Sequence, residues 1–268
     1  LTAGLTKALG GTDVVCEVDL RLEGGIVTLL GPNGSGKTTL LRCLATISLA
    51  SSGDLLIDGL DPRHETDRIE ARRRLGYLPQ DTGFARSATA FDVVDYLAIL
   101  RGNHDERRRR VEVYDVLARV GLDDRASARV RELSGGMRRR LGLAQAIQGD
   151  PSLLILDEPA AGLDPDERLR LRDVITDRRL ECTVVVSTHH TDEAALGDRV
   201  VVLDHGSVRF DGTPSQLAAV ASGRTWVQDD EPSGTRANGR YPVGSYRCLG
   251  NAPPGAALVE PNLEDWYL

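Results

Sequence analysis

The residues with the clearest chemical potential form a glycine-rich loop. The nine residues of the loop are Gly31, Pro32, Asn33, Gly34, Ser35, Gly36, Lys37, Thr38 and Thr39. An apolar run precedes the loop and a helical pattern follows it, which is the strand-loop-helix context of a phosphate-binding loop. Glycine lets backbone N–H groups close around phosphate oxygens, and the helix N-terminus adds partial positive charge. The loop therefore predicts that the chain binds a nucleoside triphosphate.

Two side chains of this loop should complete the phosphate site. A helix terminus stabilises a nearby charge by only about 0.3–1 kcal/mol, so a triphosphate needs further partners. We expect Lys37 to contact the β- and γ-phosphates and the Thr38 hydroxyl to hold Mg²⁺. A glycine-rich turn that happens to precede a helix is the simpler alternative, which the flanking pattern disfavours. The loop alone does not distinguish a kinase, a GTPase and a motor.

A pair of adjacent carboxylates, Asp157 and Glu158, follows the apolar run at residues 153–156. Two neighbouring carboxylates are costly to bury without a cation or a reaction that uses them. A Mg²⁺ site accounts for both. Asp157 would hold the ion through water, and Glu158 would polarise the water that attacks the γ-phosphorus.

A second helix start carries glycines and a hydroxyl group. Leu133, Ser134, Gly135, Gly136 and Met137 open a predicted helix over residues 138–148. Its N-terminal N–H groups also suit phosphate. Two phosphate-binding ends in one chain are most simply explained by two nucleotide sites, each completed by a second copy of the protein in a head-to-tail dimer.

The remaining pattern predicts an α/β fold that positions these groups. Polar and apolar residues alternate from Cys16 to Glu23, and residues 55–57 extend the region, which predicts an antiparallel β layer beside the phosphate-binding loop. Apolar strands at residues 153–156, 183–187 and 200–203 predict a mostly parallel sheet covered on both faces. Residues 89–148 have helical spacing, with Asp105 as an N-cap. They predict a helical subdomain inserted at about residues 81–150.

Length and composition bound the class of protein. The 268 residues, of which 41% are hydrophobic, suffice for one large domain over residues 1–220 and a small C-terminal extension over residues 221–268. The net charge of −7 argues against nucleic acid as a partner. No apolar stretch approaches the ~20 residues that span a bilayer, so we expect a soluble chain. The four scattered cysteines suit reduced thiols, and the arginine runs at residues 72–74, 107–110 and 138–140 are interpreted as solvated helix faces.

Taken together, these motifs and their order resemble the ATP-binding cassette (ABC) ATPases, over residues 5–220. By likeness, residues 31–39 match the Walker A loop, Gln80 the Q-loop, residues 133–137 the signature, and Asp157 with Glu158 Walker B. Asp164 matches the D-loop and His189 the switch histidine. The resemblance implies that Gln80 senses Mg²⁺ and the γ-phosphate. It also implies that Ser134 and Gly136 touch the partner's γ-phosphate, that Asp164 couples the two sites, and that His189 contacts the γ-phosphate.

Some of these positions have simpler alternatives, and some depart from the family pattern. Asp164 precedes Pro165 and could serve as a helix cap, and Gln80 could be an ordinary polar loop residue. His190 is expected to face solvent. Leu9 stands where the family usually has an aromatic residue that stacks on adenine, so modest ATP affinity and poor ATP/GTP discrimination are expected in the monomer. Met137 replaces the commoner glutamine, with a small expected effect.

The resemblance implies an ATPase that uses ATP and Mg²⁺ as the nucleotide-binding subunit of a transporter. It would work as a homodimer, or paired with a similar subunit, on a separate membrane permease at the inner face of the cell membrane. Residues 74–102 and the ending at residues 259–267 resemble bacterial exporters of the multidrug or antibiotic-resistance kind. The alternative is a soluble ABC ATPase that acts on a macromolecular complex. A plain kinase or GTPase would not need the signature or His189.

Overall fold

The computed structural model describes residues 1–178, 182–220, 222, 225–228, 236–240, 246–249 and 257–260. A six-stranded sheet forms the centre of the fold and contains β3 (Ile26–Leu30), β5 (Leu75–Leu78), β6 (Leu153–Asp157), β7 (Thr183–Thr188), β8 (Arg199–Asp204) and β9 (Ser207–Gly212). The order of these strands in the sheet is β5-β6-β7-β3-β8-β9. They pair in parallel except for the antiparallel pair of β8 with β9. The predicted mostly parallel sheet is therefore confirmed.

The central strands are buried on both faces, which is why their sequences are continuous apolar runs. Leu154, Ile155 and Leu156 of β6 are fully buried, although alternate residues of a strand point to opposite faces. Leu154 and Leu156 pack in one core cluster and Ile155 packs in another. The sheet is therefore covered from both sides, as its sequence pattern predicts.

A separate antiparallel sheet contains β1 (Thr2–Leu9), β2 (Thr12–Leu20) and β4 (Ser52–Leu55), in the order β2-β1-β4. Val18 and Leu20 are buried whereas Asp19 is exposed, which confirms the predicted alternation. The prediction was wrong about where this strand ends. Strand β2 stops at Leu20 instead of Glu23, and the pairing of β1 with β2 shifts register near Glu17, whose φ is 46°.

The helices occupy the segments between the strands. They are α1 (Lys37–Leu44), α2 (Glu65–Arg74), α3 (Ala90–Leu100), α4 (Glu106–Arg119), α5 (Gly135–Ile147), α6 (Pro165–Arg178), α7 (Thr191–Ala194) and α8 (Pro214–Ala219). The predicted helical region contains α3, α4 and α5, which pack on one another. The Asp105 side chain accepts from the Arg108 backbone N–H and caps α4 as predicted. Helix α5 also packs on β5, so it ties the helical region to the central sheet.

Beyond α8, the short strands β10 (Thr225–Gln228), β11 (Arg236–Arg240), β12 (Tyr246–Leu249) and β13 (Ala257–Leu258) form an antiparallel sheet. Their order in this sheet is β11-β12-β10-β13. The division into residues 1–220 and 221–268, and the insertion at about 81–150, stay predictions. Residues 261–267 of the exporter-like ending lie outside the described residues.

Cys16 and Cys43 are free thiols, as expected from their spacing. Burial raises the pKa of the Cys43 thiol, which keeps it protonated and unreactive. Among the residues that the structure describes, no helix is long and apolar enough to cross a membrane, and no group of three or more histidine, cysteine or acidic side chains is placed to hold a metal ion.

Candidate active site

The glycine-rich loop joins β3 to α1. It lies so close to other backbone segments of the same chain that only glycine fits at two of its positions. A Cβ on Gly31 would lie 2.2 Å from the backbone oxygen of Leu203. Gly36 has a φ of 100°, and a Cβ there would lie 2.5 Å from the backbone oxygen of Val14. These contacts hold the loop in one shape immediately before the N-terminus of α1.

The Lys37 side chain bends back over this loop. Its Nζ donates to the backbone oxygens of Gly31 at 2.7 Å and Pro32 at 2.9 Å. Burial lowers the pKa of the Lys37 ammonium, although the carboxylates of Glu158 and Asp157 oppose this shift. A cation held over a glycine loop at a helix N-terminus is suited to phosphate oxygens, so this geometry fits the predicted phosphate site.

The carboxylate of Asp157 lies at the end of β6 and is fully buried. Its Oδ1 accepts from the Ser187 hydroxyl at 2.7 Å and from the Thr38 hydroxyl at 3.3 Å. Within the described part of the chain, its Oδ2 has no hydrogen-bond partner although it is buried. A carboxylate and a hydroxyl are hard oxygen donors of the kind Mg²⁺ prefers, and an unsatisfied buried carboxylate oxygen has a strong need for a cation. These residues therefore fit a Mg²⁺ ion.

Glu158 follows Asp157 where the chain leaves the sheet. Its φ of 46° is unusual for a residue with a side chain, and its backbone N–H donates to the Ser187 hydroxyl at 2.9 Å. Its Oε2 accepts from Gln80 Nε2 at 3.4 Å, and its Oε1 lies 3.3 Å from His189 Nδ1. The structure thus brings together Gln80, Glu158 and His189 beside Asp157, although they are far apart in sequence.

The signature residues begin α5 and face outward. The Ser134 side chain caps the helix by accepting from the Met137 backbone N–H at 3.1 Å, and both Ser134 and Gly135 are exposed. A Cβ on Gly136 would lie 2.0 Å from Oε1 of Glu167. Ser134 and Gly135 are therefore accessible from outside the molecule, whereas their contact with phosphate stays a prediction.

Comparison with known proteins identifies the family. The sequence model of the ABC transporter family matches residues 17–161. The chain belongs to the ABC transporter family. It carries the ATPase domain of that family, and its sheet, helices and antiparallel layer have the fold of ABC ATPase subunits.

Individual relatives of this ABC chain include drug-resistance and transport proteins. It is 37% identical over 221 residues to the daunorubicin/doxorubicin resistance ATP-binding protein DrrA of Streptomyces peucetius, which covers 81% of this chain and 66% of DrrA. It is 34% identical to the glutamine transport ATP-binding protein GlnQ of Escherichia coli, over 80% of this chain and 90% of GlnQ. The chain spans 8% of the human glucosylceramide transporter ABCA12, to which it is 37% identical.

A solved structure of another ABC cassette matches most of the fold. The dimeric post-hydrolysis state of the cassette MJ0796, bound to ADP and Pi, superposes with a TM-score of 0.72 and 25% identity. The match covers 79% of this chain and 97% of that one. The family match over residues 17–161 includes the glycine loop and the two carboxylates.

Asp164, the D-loop position of this ABC chain, caps α6. Its Oδ1 accepts from the Glu167 backbone N–H at 2.8 Å. The capping alternative is therefore present in the structure. Capping uses one carboxylate oxygen and does not conflict with a coupling role, which stays a prediction. His190 is exposed as expected, and its ring lies 4.1 Å from that of His189 between centroids. Leu9 ends β1 with 51% of its surface exposed.

The interpretation of the arginine runs as solvated faces is confirmed for residues 72–74, which are exposed, and wrong for Arg109 and Arg139. Arg139 is 9% exposed, and Arg109 is half-buried with a hydrogen bond to Asp95. The pattern of α5 contains a signal for this, because Arg139 lies four and eight residues before the buried Leu143 and Ile147 and so shares their face. The arginine at the centre of the run is therefore part of the interior.

Ser187 is the other contributor that sequence reasoning missed. It pairs with Asp157 across the parallel β6 and β7 register, and it is fully buried. Its hydroxyl joins the Asp157 carboxylate to the Glu158 backbone. A polar residue near the end of an apolar strand, next to a predicted catalytic strand, is the signal that could have identified it.

Proposed function

We propose that this chain is the ATP-hydrolysing, nucleotide-binding subunit of an ABC transporter, acting as a head-to-tail dimer on a separate membrane permease. The observation that carries the proposal is the placement of Glu158. Its carboxylate lies between Gln80 and His189 and beside the buried Asp157. In this position Glu158 takes a proton from the attacking water, and Gln80 and His189 orient the water and the γ-phosphate.

Nucleotide binding uses the glycine loop. Its backbone N–H groups and the Lys37 ammonium bind the phosphates, and Thr38, Asp157 and Gln80 would hold a Mg²⁺ ion. Such an ion would supply positive charge to the phosphate oxygens. Asp157 Oδ2 is buried and has no hydrogen-bond donor among the described residues. This supports the assignment, since such a carboxylate oxygen favours a nearby cation.

The outward-facing signature supports the dimer. Ser134 and Gly135 lie at an exposed helix N-terminus, where a second chain can present a bound nucleotide. Each site then combines the glycine loop of one copy with Ser134 and Gly136 of the other, and Asp164 couples the two sites. The partner is a second copy or a similar subunit. The dimeric state of the MJ0796 cassette agrees with this arrangement.

A groove beside the Gln80 loop supports a membrane partner. It is lined by Arg42, Ile47, Ile69, Arg72, Tyr77 and Leu100. About half of the surface of Ile47, Ile69 and Leu100 is exposed, so an apolar strip is bordered by arginines. A short amphipathic helix of a permease would bury this strip, and ATP-driven closure of the dimer would then move the permease. The chain would lie on the inner face of the membrane through this contact.

Export of a drug-like or antibiotic compound is the proposed direction of transport. It rests on the similarity to DrrA, whose name records daunorubicin and doxorubicin resistance, and on the exporter-like segments of the sequence.

Affinity purification from native membranes in mild detergent tests the proposal. The tagged wild-type chain should enrich a multi-span membrane protein. Ile69→Glu in the groove should lose that protein, whereas Val111→Glu, at a 69% exposed position of α4, should retain it. Enrichment of only soluble complexes by the wild type would contradict the transporter proposal and favour an ABC ATPase that acts on a macromolecular complex.

A further inference from the structure

The guanidinium of Arg139 is saturated by five backbone carbonyl groups. Nε donates to the oxygen of Pro159 at 3.1 Å, and Nη1 donates to the oxygens of Pro79 at 2.8 Å and Gln80 at 2.6 Å. Nη2 donates to the oxygens of Asp157 at 2.7 Å and Glu158 at 2.6 Å. A guanidinium has five N–H donors in a fixed planar fork, so each donor has a partner here.

These carbonyls come together because β5 and β6 are neighbouring parallel strands. Leu78 pairs with Leu156, and both chains leave the sheet immediately afterwards, at the same edge. Carbonyl groups that leave a sheet lose their ladder partners and need other donors when they are buried. Arg139 supplies those donors to both segments at once from the neighbouring helix α5.

The two segments that Arg139 joins carry the groups of the proposed hydrolysis. Gln80 follows β5 and Glu158 follows β6, and their side chains meet at 3.4 Å. Glu158 also has a φ of 46°, a conformation that persists only when its surroundings hold it. Arg139 holds the carbonyl of Glu158 itself and those of both its neighbours.

We propose that Arg139 is a positioning residue that fixes the Gln80 and Glu158 backbones relative to each other for ATP hydrolysis. This inference rests on the proposed function. Arg139 contacts these segments only through their backbones, so it acts on the chemistry through Glu158 and Gln80. Burial lowers the pKa of the guanidinium while Asp157 opposes the shift, and an arginine remains charged at neutral pH under such a shift.

Two substitutions of Arg139 separate positioning from folding. Arg139→Met keeps the length and apolar contact of the side chain but removes every donor. Arg139→Lys keeps the charge and three donors on one nitrogen, which cannot reach five carbonyls arranged around a planar fork. Arg107→Met, at an exposed position of α4, is the matched control.

We expect kcat for MgATP hydrolysis to fall by about 10–100-fold in Arg139→Met, because displacements on the order of 1 Å at reacting groups cost about that much. Arg139→Lys should fall by less, and Arg107→Met should match wild type. The dissociation constant for a fluorescent ATP analogue should stay within about threefold of wild type, since Lys37 and the glycine loop do not contact Arg139.

Hydrogen exchange gives a readout that does not depend on hydrolysis. Backbone amides of residues 80–82, 157–158 and 160–161 should exchange faster in Arg139→Met than in wild type, while those of α1 should not change. Unchanged kcat or unchanged exchange at both segments would overturn the inference. A parallel loss of kcat, nucleotide affinity and thermal midpoint in both Arg139 variants would also overturn it, because the role would then be general stability. If wild type does not hydrolyse MgATP but exchange changes as expected, the proposed function fails while the link through Arg139 stands.

Discussion

Removal of the Ser187 hydroxyl should destabilise the protein by an amount that its contacts allow us to work out. The hydroxyl donates to the Asp157 carboxylate at 2.7 Å and accepts from the Glu158 N–H at 2.9 Å, at a fully buried position. A hydrogen bond to a charged group contributes about 1.5–3 kcal/mol and a neutral one about 0.5–1.5 kcal/mol. Ser187→Ala should therefore lower the free energy of unfolding by about 3 kcal/mol, a factor of roughly 100 in the folding equilibrium.

Urea unfolding followed by far-ultraviolet circular dichroism measures this change. With a slope of about 3 kcal/mol per molar urea, at the upper end of the range because the chain is long, the midpoint should fall by about 1 M. Ser52→Ala, at an exposed position of β4, is the control and should leave the midpoint unchanged. A loss of less than about 0.5 kcal/mol in Ser187→Ala would refute the reasoning that this hydroxyl holds both Walker B residues.

Three further predictions follow from the site. Glu158→Gln should lower kcat for ATP by about 10²–10⁴-fold in a steady-state assay, because the amide cannot accept a proton; unchanged turnover would remove Glu158 from the mechanism. Gly31→Ala should weaken nucleotide binding at least tenfold, as measured by calorimetry, because the new Cβ would lie 2.2 Å from the Leu203 backbone oxygen. The control Gly83→Ala, at an exposed position with open space around the Cβ, should bind nucleotide as tightly as wild type. Burial raises the pKa of Tyr77 to about 12, so the native state retains a proton that the unfolded chain releases near pH 10. The free energy of unfolding should therefore fall as pH rises from 10 to 12. Tyr77→Phe should lessen that slope in urea titrations, and an identical slope would contradict the shift.

Much of the fold could be predicted because single elements carry strong local signals. Continuous apolar runs mark β6 and β7 as buried parallel strands, and Asp105 marks the start of α4 through the hydrogen bond it accepts. Because the carboxyl ends of neighbouring parallel strands meet at one edge, Asp157 and the glycine loop could be expected together.

The missed features depend on tertiary packing. Local charge predicts that Arg139 faces water. Hydrogen bonds to five backbone carbonyls, from two segments distant in sequence, offset the free-energy cost of removing its guanidinium from water. The position of Ser187 near the end of an apolar strand could mark it as a candidate, but its pairing with Asp157 depends on the register of β6 and β7. The end of β2 also departs from simple alternation, because the pairing with β1 shifts register near Glu17 and the pattern alone does not predict such shifts.

If two chains complete each other's nucleotide site, light scattering of Glu158→Gln with MgATP should detect the dimer. Slow hydrolysis should trap the ATP-bound form, so the mass should double from the 29.0 kDa of the monomer and return to it when nucleotide is removed. Adding Ser134→Arg, which places a bulky side chain at the exposed signature, should keep the chain monomeric. If Glu158→Gln stays monomeric with MgATP, or dimerises equally well with Ser134→Arg, the head-to-tail account is contradicted.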